Sequence, residues 1–190
     1  MVASLEQLRQ RLESHVPSTI EAKGRAAVAV IFRERSGLEV MLIRRTDRPG
    51  DPWSGHMAFP GGRYEERDPH PLATAVRETR EEIDLDLDLD ATLIGRLDDQ
   101  IAYARGERLD MAISPFVFGL ARDAALTLSD EVAEVVWAPM GPMMRGEVGT
   151  ELERELYGQP ITLPGFVVGP HIVWGLTHRM LINLFALVAR

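Results

Sequence analysis

The chain has 190 residues, 45% hydrophobic and 26% charged, which is enough for one packed core with elaborations in a globular domain. Its formal charge of -8 argues against a nucleic acid as partner, because proteins that grip a phosphate backbone carry a basic face. There is no cysteine, so disulfides, thiolate catalysis and cysteine zinc sites are excluded. The first fifteen residues, MVASLEQLRQRLESH, mix both charge signs and have no apolar signal core, so the expected location is cytoplasmic. No membrane span is expected either, since the most apolar run, residues 180–189, has about half the length a bilayer requires.

In chain order, Ser4 with Gln7 three residues on reads as a helix N-cap, and Leu5, Leu8 and Leu12 recur at helical spacing. A short helix is predicted there, in an N-terminal extension of residues 1–24 preceding a main domain of residues 25–190. RAAVAVIFR (25–33) reads as a buried strand, Ser36-Gly37 as a turn, and LEVMLIRR (38–45) as the returning hairpin partner. Residues 46–57, TDRPGDPWSGHM, form a loop rich in proline and glycine that leads into the central motif. Its Trp53 either contacts a substrate or tucks against the core.

That motif is residues 58–85, AFPGGRYEERDPHPLATAVRETREEIDL. Phe59-Pro60-Gly61-Gly62 places a rigid proline before two glycines, so the backbone there can approach a ligand closely. In the helix that follows, Leu72, Val76, Thr79 and Ile83 make one stripe expected to be buried, and Glu78, Glu81 and Glu82 fall together on the opposite side. Three crowded carboxylates repel one another unless cations intervene. Arg77 is one such cation, and a hard divalent metal such as Mg2+ is another. With Glu82 facing away from the stripe, Glu82→Gln is expected to leave the fold intact while cutting turnover by orders of magnitude. On the helix alone, a solvated face of glutamates and arginines is the alternative.

The rest of the chain reads as scaffold. Residues 84–90 alternate aspartate with leucine, a half-buried strand or an extended exit from the helix; they lack the glycine and glutamate of a calcium loop. Strands are predicted over 91–97, 111–120 and 131–138, with Pro115 marking a bulge or an edge. Residues 98–108 read as a polar loop, 139–145 as a short helix, and 147–168 as an irregular stretch holding a hairpin of ELYG and ITLP. The closing helix, 174–190, is apolar on most faces and must be covered by the sheet or by a second subunit, so a homodimer is one expectation. Strands on both sides of a helix, with another helix closing the chain, place it in the α+β class. There is no HExxH, GxSxG, GxxxxGK or GxGxxG, so the sequence offers no sign of a zinc protease site, a nucleophile elbow, a P-loop or a dinucleotide fingerprint.

Residues 58–85 resemble the Nudix box, the loop-helix-loop signature G-x5-E-x7-R-E-U-x-E-E-x-G-U of the Nudix hydrolases, where U is aliphatic. Arg77, Glu78, Glu81, Glu82 and Leu85 match in register, while Thr79 replaces an aliphatic residue and Asp84 the last glycine. One extra residue between Gly62 and Arg77 leaves Glu65, Glu66 or Asp68 to stand for the first glutamate. The resemblance implies an α/β/α sandwich with a central mixed β-sheet, acting on a small nucleoside diphosphate derivative. It further implies Mg2+ or Mn2+ held by Glu78, Glu81, Glu82 and a backbone carbonyl of Gly61 or Gly62. Glu78, Glu81 and Arg77 then form the catalytic set, with Arg77 orienting the glutamates and Glu78, Glu107 or Asp110 accepting the proton of the attacking water. MLIRRT followed by GHMAFPGG, and WGLT at 174–177, are similar to the coenzyme A diphosphatase branch. That likeness implies cleavage of coenzyme A or an acyl derivative into 3',5'-ADP and a phosphopantetheine, with Arg44, Arg45, Arg48 and Trp53 contacting the substrate. The alternatives are hydrolysis of another nucleotide, such as ADP-ribose, a dinucleotide or a nucleotide sugar, and a non-catalytic nucleotide-binding module.

Overall fold

The structure, a computed structural model, describes residues 4–104, 106–156 and 158–189. Arg105 of the expected polar loop, Tyr157 of the ELYG turn and Arg190 of the closing helix lie outside the described residues. The sheet is built on β1 (Gly24–Glu34), whose alternate side chains are buried on opposite faces. One edge of β1 pairs antiparallel with β2 (Leu38–Arg45) at Phe32↔Val40, and further back with β4 (Gly61–Arg63) at Val28↔Gly61. The other edge runs parallel to β7 (Glu107–Leu120), from Gly24↔Met111 to Phe32↔Gly119. Outside these lie β3 (Met57–Ala58) and β8 (Val132–Pro139) on β2, and β5 (Ala91–Arg96) and β6 (Gln100–Ala104) on β7, which completes a mixed sheet.

Three layers follow from that alternation. Ala27, Ala29 and Ile31 of β1, with Met41 and Ile43 of β2, pack against α2 (Pro71–Ile83). Ala26, Val30 and Phe32, with Val40 and Leu42, face α1 (Leu5–Glu13) and α5 (Gly175–Val188). Ser4 caps α1 by accepting the Gln7 amide at 3.2 Å, and Leu8 and Leu12 are buried in the larger core. α4 (Met140–Met144) follows β8, and a second antiparallel sheet of β9 (Gly149–Leu156), β10 (Gln159–Val168) and β11 (His171–Trp174) leads into α5. Met180, Leu181, Leu184, Phe185 and Val188 of α5 are buried in this chain's own core. Among the described residues no helix is long and apolar enough to cross a membrane.

Four expectations are corrected. Residues 98–108 are not a loop: β6 and the start of β7 form an exposed hairpin, which polar side chains tolerate because one face stays in water. Residues 84–90 do not exit as a strand, because the Asp86 carboxylate accepts the amides of Asp88 and Leu89 and starts a one-turn helix, α3 (Leu87–Asp90). Pro115 sits neither at an edge nor in a bulge of its own strand. It pairs with Val28 inside the sheet, where the partner of β7 changes from β6 to β5 and no ladder amide is required of it. Finally, Glu82 does not face away from the apolar side. The buried face of α2 runs through Ala75, Thr79, Glu82 and Ile83, while Leu72 and Val76 are only half-buried, so the stripe is rotated toward Glu82.

Candidate active site

Two departures from the motif become intelligible on α2. Thr79 is buried, and its hydroxyl donates to the Ala75 carbonyl at 2.7 Å, so the polar atom is satisfied where an aliphatic residue would sit. Asp84 ends the helix with φ 56° and ψ 32°, the left-handed conformation that glycine adopts most easily. At the other end, His70 caps the helix through Nδ1, which accepts the Ala73 amide at 3.1 Å, and Pro71 fills the first helical position.

Arg77 is the hub. It donates Nε to Asp68 Oδ1 (2.9 Å), one terminal nitrogen to Asp68 Oδ2 (3.0 Å) and to the Arg63 carbonyl (3.1 Å), and the other to Glu78 and Glu81 (2.9 Å each). Of Glu65, Glu66 and Asp68, the structure selects Asp68 as the fixed partner: it is buried and also accepts the Thr74 hydroxyl (2.9 Å) and the Glu65 amide (3.0 Å). Arg77 beside it holds the Asp68 carboxyl well below the usual carboxylate range. Glu65 itself lies 3.7 Å from Arg77. Glu81 is exposed and is shared between Arg77 and Arg67, the latter at 3.1 Å.

Glu82 and Glu78 face the glycines. Glu82 is 4% exposed and accepts the Gly61 amide at 2.9 Å. Burial pushes its carboxyl up to about 8, with the negative charge of Glu78 adding and the Gly61 amide opposing. Burial likewise raises Glu78, against the pull of Arg77. Gly61 has φ 149° and lies so close to β1 that a Cβ would fall 2.3 Å from the Ala27 carbonyl oxygen. At Gly62 a Cβ would meet the Glu78 carboxylate at 2.4–2.6 Å. Both glycines therefore answer to close approach, one to backbone and one to a carboxylate.

The arginines expected to share one substrate do not sit together. Alternation along β2 sends Arg45 toward Glu82, whose charge it moderates, and Arg44 to the opposite face. Arg45 pairs with Asp51 (3.0 Å), Arg44 with Asp47 (2.5 Å), and Arg48 with Asp130 (3.2 Å) and Glu131 (3.0 Å). Trp53 donates its indole N–H to the Tyr103 carbonyl at 3.2 Å, which joins the 46–57 loop to the β6–β7 hairpin. Of the other proton acceptors considered, Asp110 accepts the Lys23 amide at 3.2 Å, and Glu107 opens β7. Sequence reasoning missed Glu131, whose charge acts on Glu82 from the start of the β8 segment, 49 positions away along the chain. No local pattern marks it.

The layers and the acidic helix define a domain built to present carboxylates beside a glycine turn. The chain belongs to the NUDIX domain family, which it matches over residues 22–153. It is 32% identical over 155 residues to the human mitochondrial coenzyme A diphosphatase NUDT8, covering 80% of this chain and 64% of that protein. To the mitochondrial Nudix hydrolase 15 of Arabidopsis thaliana it is 29% identical over 176 residues, covering 88% and 59%. The chain spans about half to two thirds of the length of the curated relatives it matches. A MutT/nudix family protein from Enterococcus faecalis shares the fold, with a TM-score of 0.53 at 18% identity over 96% of this chain and 68% of that one.

Proposed function

We propose that this chain is a metal-dependent diphosphatase of nucleoside diphosphate derivatives, with coenzyme A or an acyl derivative as its substrate. The observation that carries the reading is the Glu82 carboxylate, buried, fixed by the Gly61 amide and crowded by Glu78. Such a group is costly to ionise by itself and is stabilised by a cation placed against it.

Nudix hydrolases generally need a divalent ion. Among the described residues no three His, Asp or Glu side chains converge on a metal position as they stand; the Arg77 guanidinium lies between Glu78 and Glu81. The donor chemistry nevertheless fits a hard ion, since the carboxylates beside the glycines are oxygen donors whose burial disfavours their charge. Glu78, Glu81 and Glu82 would hold it, with a Gly61 or Gly62 carbonyl on the family likeness. When bound, Mg2+ or Mn2+ supplies neutralisation of phosphate charge and an acidified water.

The chain's own groups do the rest. Asp68 fixes Arg77, and Arg77 in turn orients Glu78 and Glu81. Of the candidate bases, Glu78 lies against Gly62 and close enough to raise Glu82, so we assign it the proton of the attacking water. We assign the diphosphate to Arg45, and the support is that its charge reaches Glu82. Support for coenzyme A comes from the LIRRT and GHMAFPGG segments and from the likeness to NUDT8.

The test is a substrate panel of coenzyme A, acetyl coenzyme A, ADP-ribose, NADH and diadenosine polyphosphates, with Mg2+ or Mn2+ and products read by mass. Formation of 3',5'-ADP that chelation abolishes is the expected result. Cleavage of a different diphosphate would remove coenzyme A and keep the chemistry, and no turnover of any would remove both.

A further inference from the structure

On the face of β2 opposite the acidic helix lies an open cavity of about 360 Å3. It is assembled from Arg44, the 54–57 segment, Leu152 and Arg154 of β9, and the segment from Pro170 to Trp174. Its chemistry is cationic and aromatic. The Arg154 guanidinium lies 5.1 Å over the Trp174 ring, and the His56 ring stands 4.5 Å from that indole, tilted by 58°. Arg44 and His171 are already matched, to Asp47 (2.5 Å) and Glu134 (2.8 Å). Arg154 is not: among the described residues it pairs with no carboxylate, and its hydrogen bond is to the Glu153 carbonyl at 3.4 Å. The charge is felt inside the pocket, where burial and then Arg154 push the His56 imidazole below its ordinary value.

The cavity lies one short stretch of chain from the glycine turn that faces the carboxylates. His56 and Met57 on its wall run directly into Ala58-Phe59-Pro60-Gly61, and five residues of chain set at most about 17 Å between His56 and Gly61. Arg45 ties the two together, since its charge acts on Glu82 and on His56 alike. Most of the cationic wall comes from the C-terminal part of the chain: Arg154, His171 and Trp174 all lie beyond residues 22–153, which match the family.

We propose that this cavity binds a phosphate monoester carried on the nucleoside half of the substrate, beside the scissile diphosphate, with Arg154 as its anion partner and the Trp174 and His56 rings as an aromatic wall. An uncompensated guanidinium over an indole suits a phosphate attached to a nucleoside: the guanidinium takes the phosphate oxygens and the ring offers a face to the base. The inference rests on the reading of the chain as a coenzyme A diphosphatase. In coenzyme A the group in question is the 3'-phosphate.

The experiment compares coenzyme A with dephospho-coenzyme A, which differs by that phosphate alone, in the wild type and in Arg154→Ala and Arg154→Lys. The wild type is expected to favour coenzyme A in kcat/KM by roughly ten- to a hundredfold, the size of one charge-assisted contact. In Arg154→Ala the ratio should fall toward one through KM, with Arg154→Lys between. Because Arg154 is exposed on a hairpin, its replacement leaves the core untouched, and a general loss of folding would lower both substrates equally without changing the ratio. A wild type that does not discriminate, or a ratio intact in Arg154→Ala, overturns the pocket and leaves the diphosphatase reading standing. If neither compound is cleaved, that reading falls and the pocket is judged by binding of 3',5'-ADP through tryptophan fluorescence. Binding that Arg154→Ala abolishes supports a phosphate site, and no binding by the wild type overturns it.

Discussion

Asp84 holds the left-handed conformation where α2 ends, a position at which a Cβ costs energy and glycine costs none. Asp84→Gly is therefore expected to stabilise the chain by about 0.5 kcal/mol, the relief of strain being partly offset by the greater freedom of glycine in the unfolded state. Chemical denaturation should show a higher midpoint with an unchanged slope; a lower midpoint would mean that the aspartate is held there by something other than backbone geometry. Gly61 and Gly62 are neighbours with opposite expectations. Gly61→Ala drives a Cβ to 2.3 Å from the Ala27 oxygen at a φ of 149°, so it should destabilise the fold by several kcal/mol (~3). In Gly62→Ala the obstacle is the end of the Glu78 side chain, which can swing aside. That variant should melt near the wild type and lose turnover by roughly ten- to a hundredfold, the cost of misplacing a general base. Equal thermal losses in the two would sink the distinction.

At the scale of elements, what periodicity could reveal was revealed. The β1–β2 hairpin, α1 with its Ser4 cap and the body of α2 follow from regular spacing of apolar residues and from caps within four positions. Positions 77, 78, 81 and 82 lie on that helix, and their chemistry was read from the likeness to the Nudix box rather than from spacing alone. What escaped was set by tertiary neighbours. Glu82 sits at the border of the helical stripe, and only the approach of β4, with the Gly61 amide, turns that border inward. Asp68 stands in an irregular loop, and its claim over Glu65 and Glu66 rests on burial beside Thr74 and Arg77. β6 was hidden because an exposed hairpin has no apolar alternation to display. The cavity around Arg154 gathers residues from four separated stretches of chain, and Arg44 and Arg45, adjacent in sequence, are parted by the pleat. Spacing along a chain cannot report such meetings.

For the whole molecule, the buried carboxylates make stability depend on pH in two opposed ways. Asp68 has a folded pKa depressed by Arg77, so it contributes stability above its unfolded value of about 3.9 and loses it as the pH falls toward the folded one. Glu82 is the reverse. Its folded pKa, about 8, lies above the unfolded value near 4.3, so between those limits the native state binds a proton that the unfolded chain does not. Stability of the metal-free protein should therefore fall from about pH 5 to about pH 8, by at most about 1.4 kcal/mol per unit from this group. His56 and His178, both lowered by burial, act in the other direction up to about pH 6.5, so the contribution of Glu82 is read as the difference between the wild type and Glu82→Gln. In thermal melts with a chelator, Glu82→Gln should be the more stable protein at pH 7.5 and the two should converge near pH 4.5. With excess Mg2+ the wild type should recover its neutral-pH loss, because a ligand bound only by the native state adds stability and pairs the carboxylate, while Glu82→Gln gains less and turns over poorly. A wild type and variant with superimposable profiles in the chelator would show that Glu82 ionises without cost, and the strongest argument for a cation at this site would go with it.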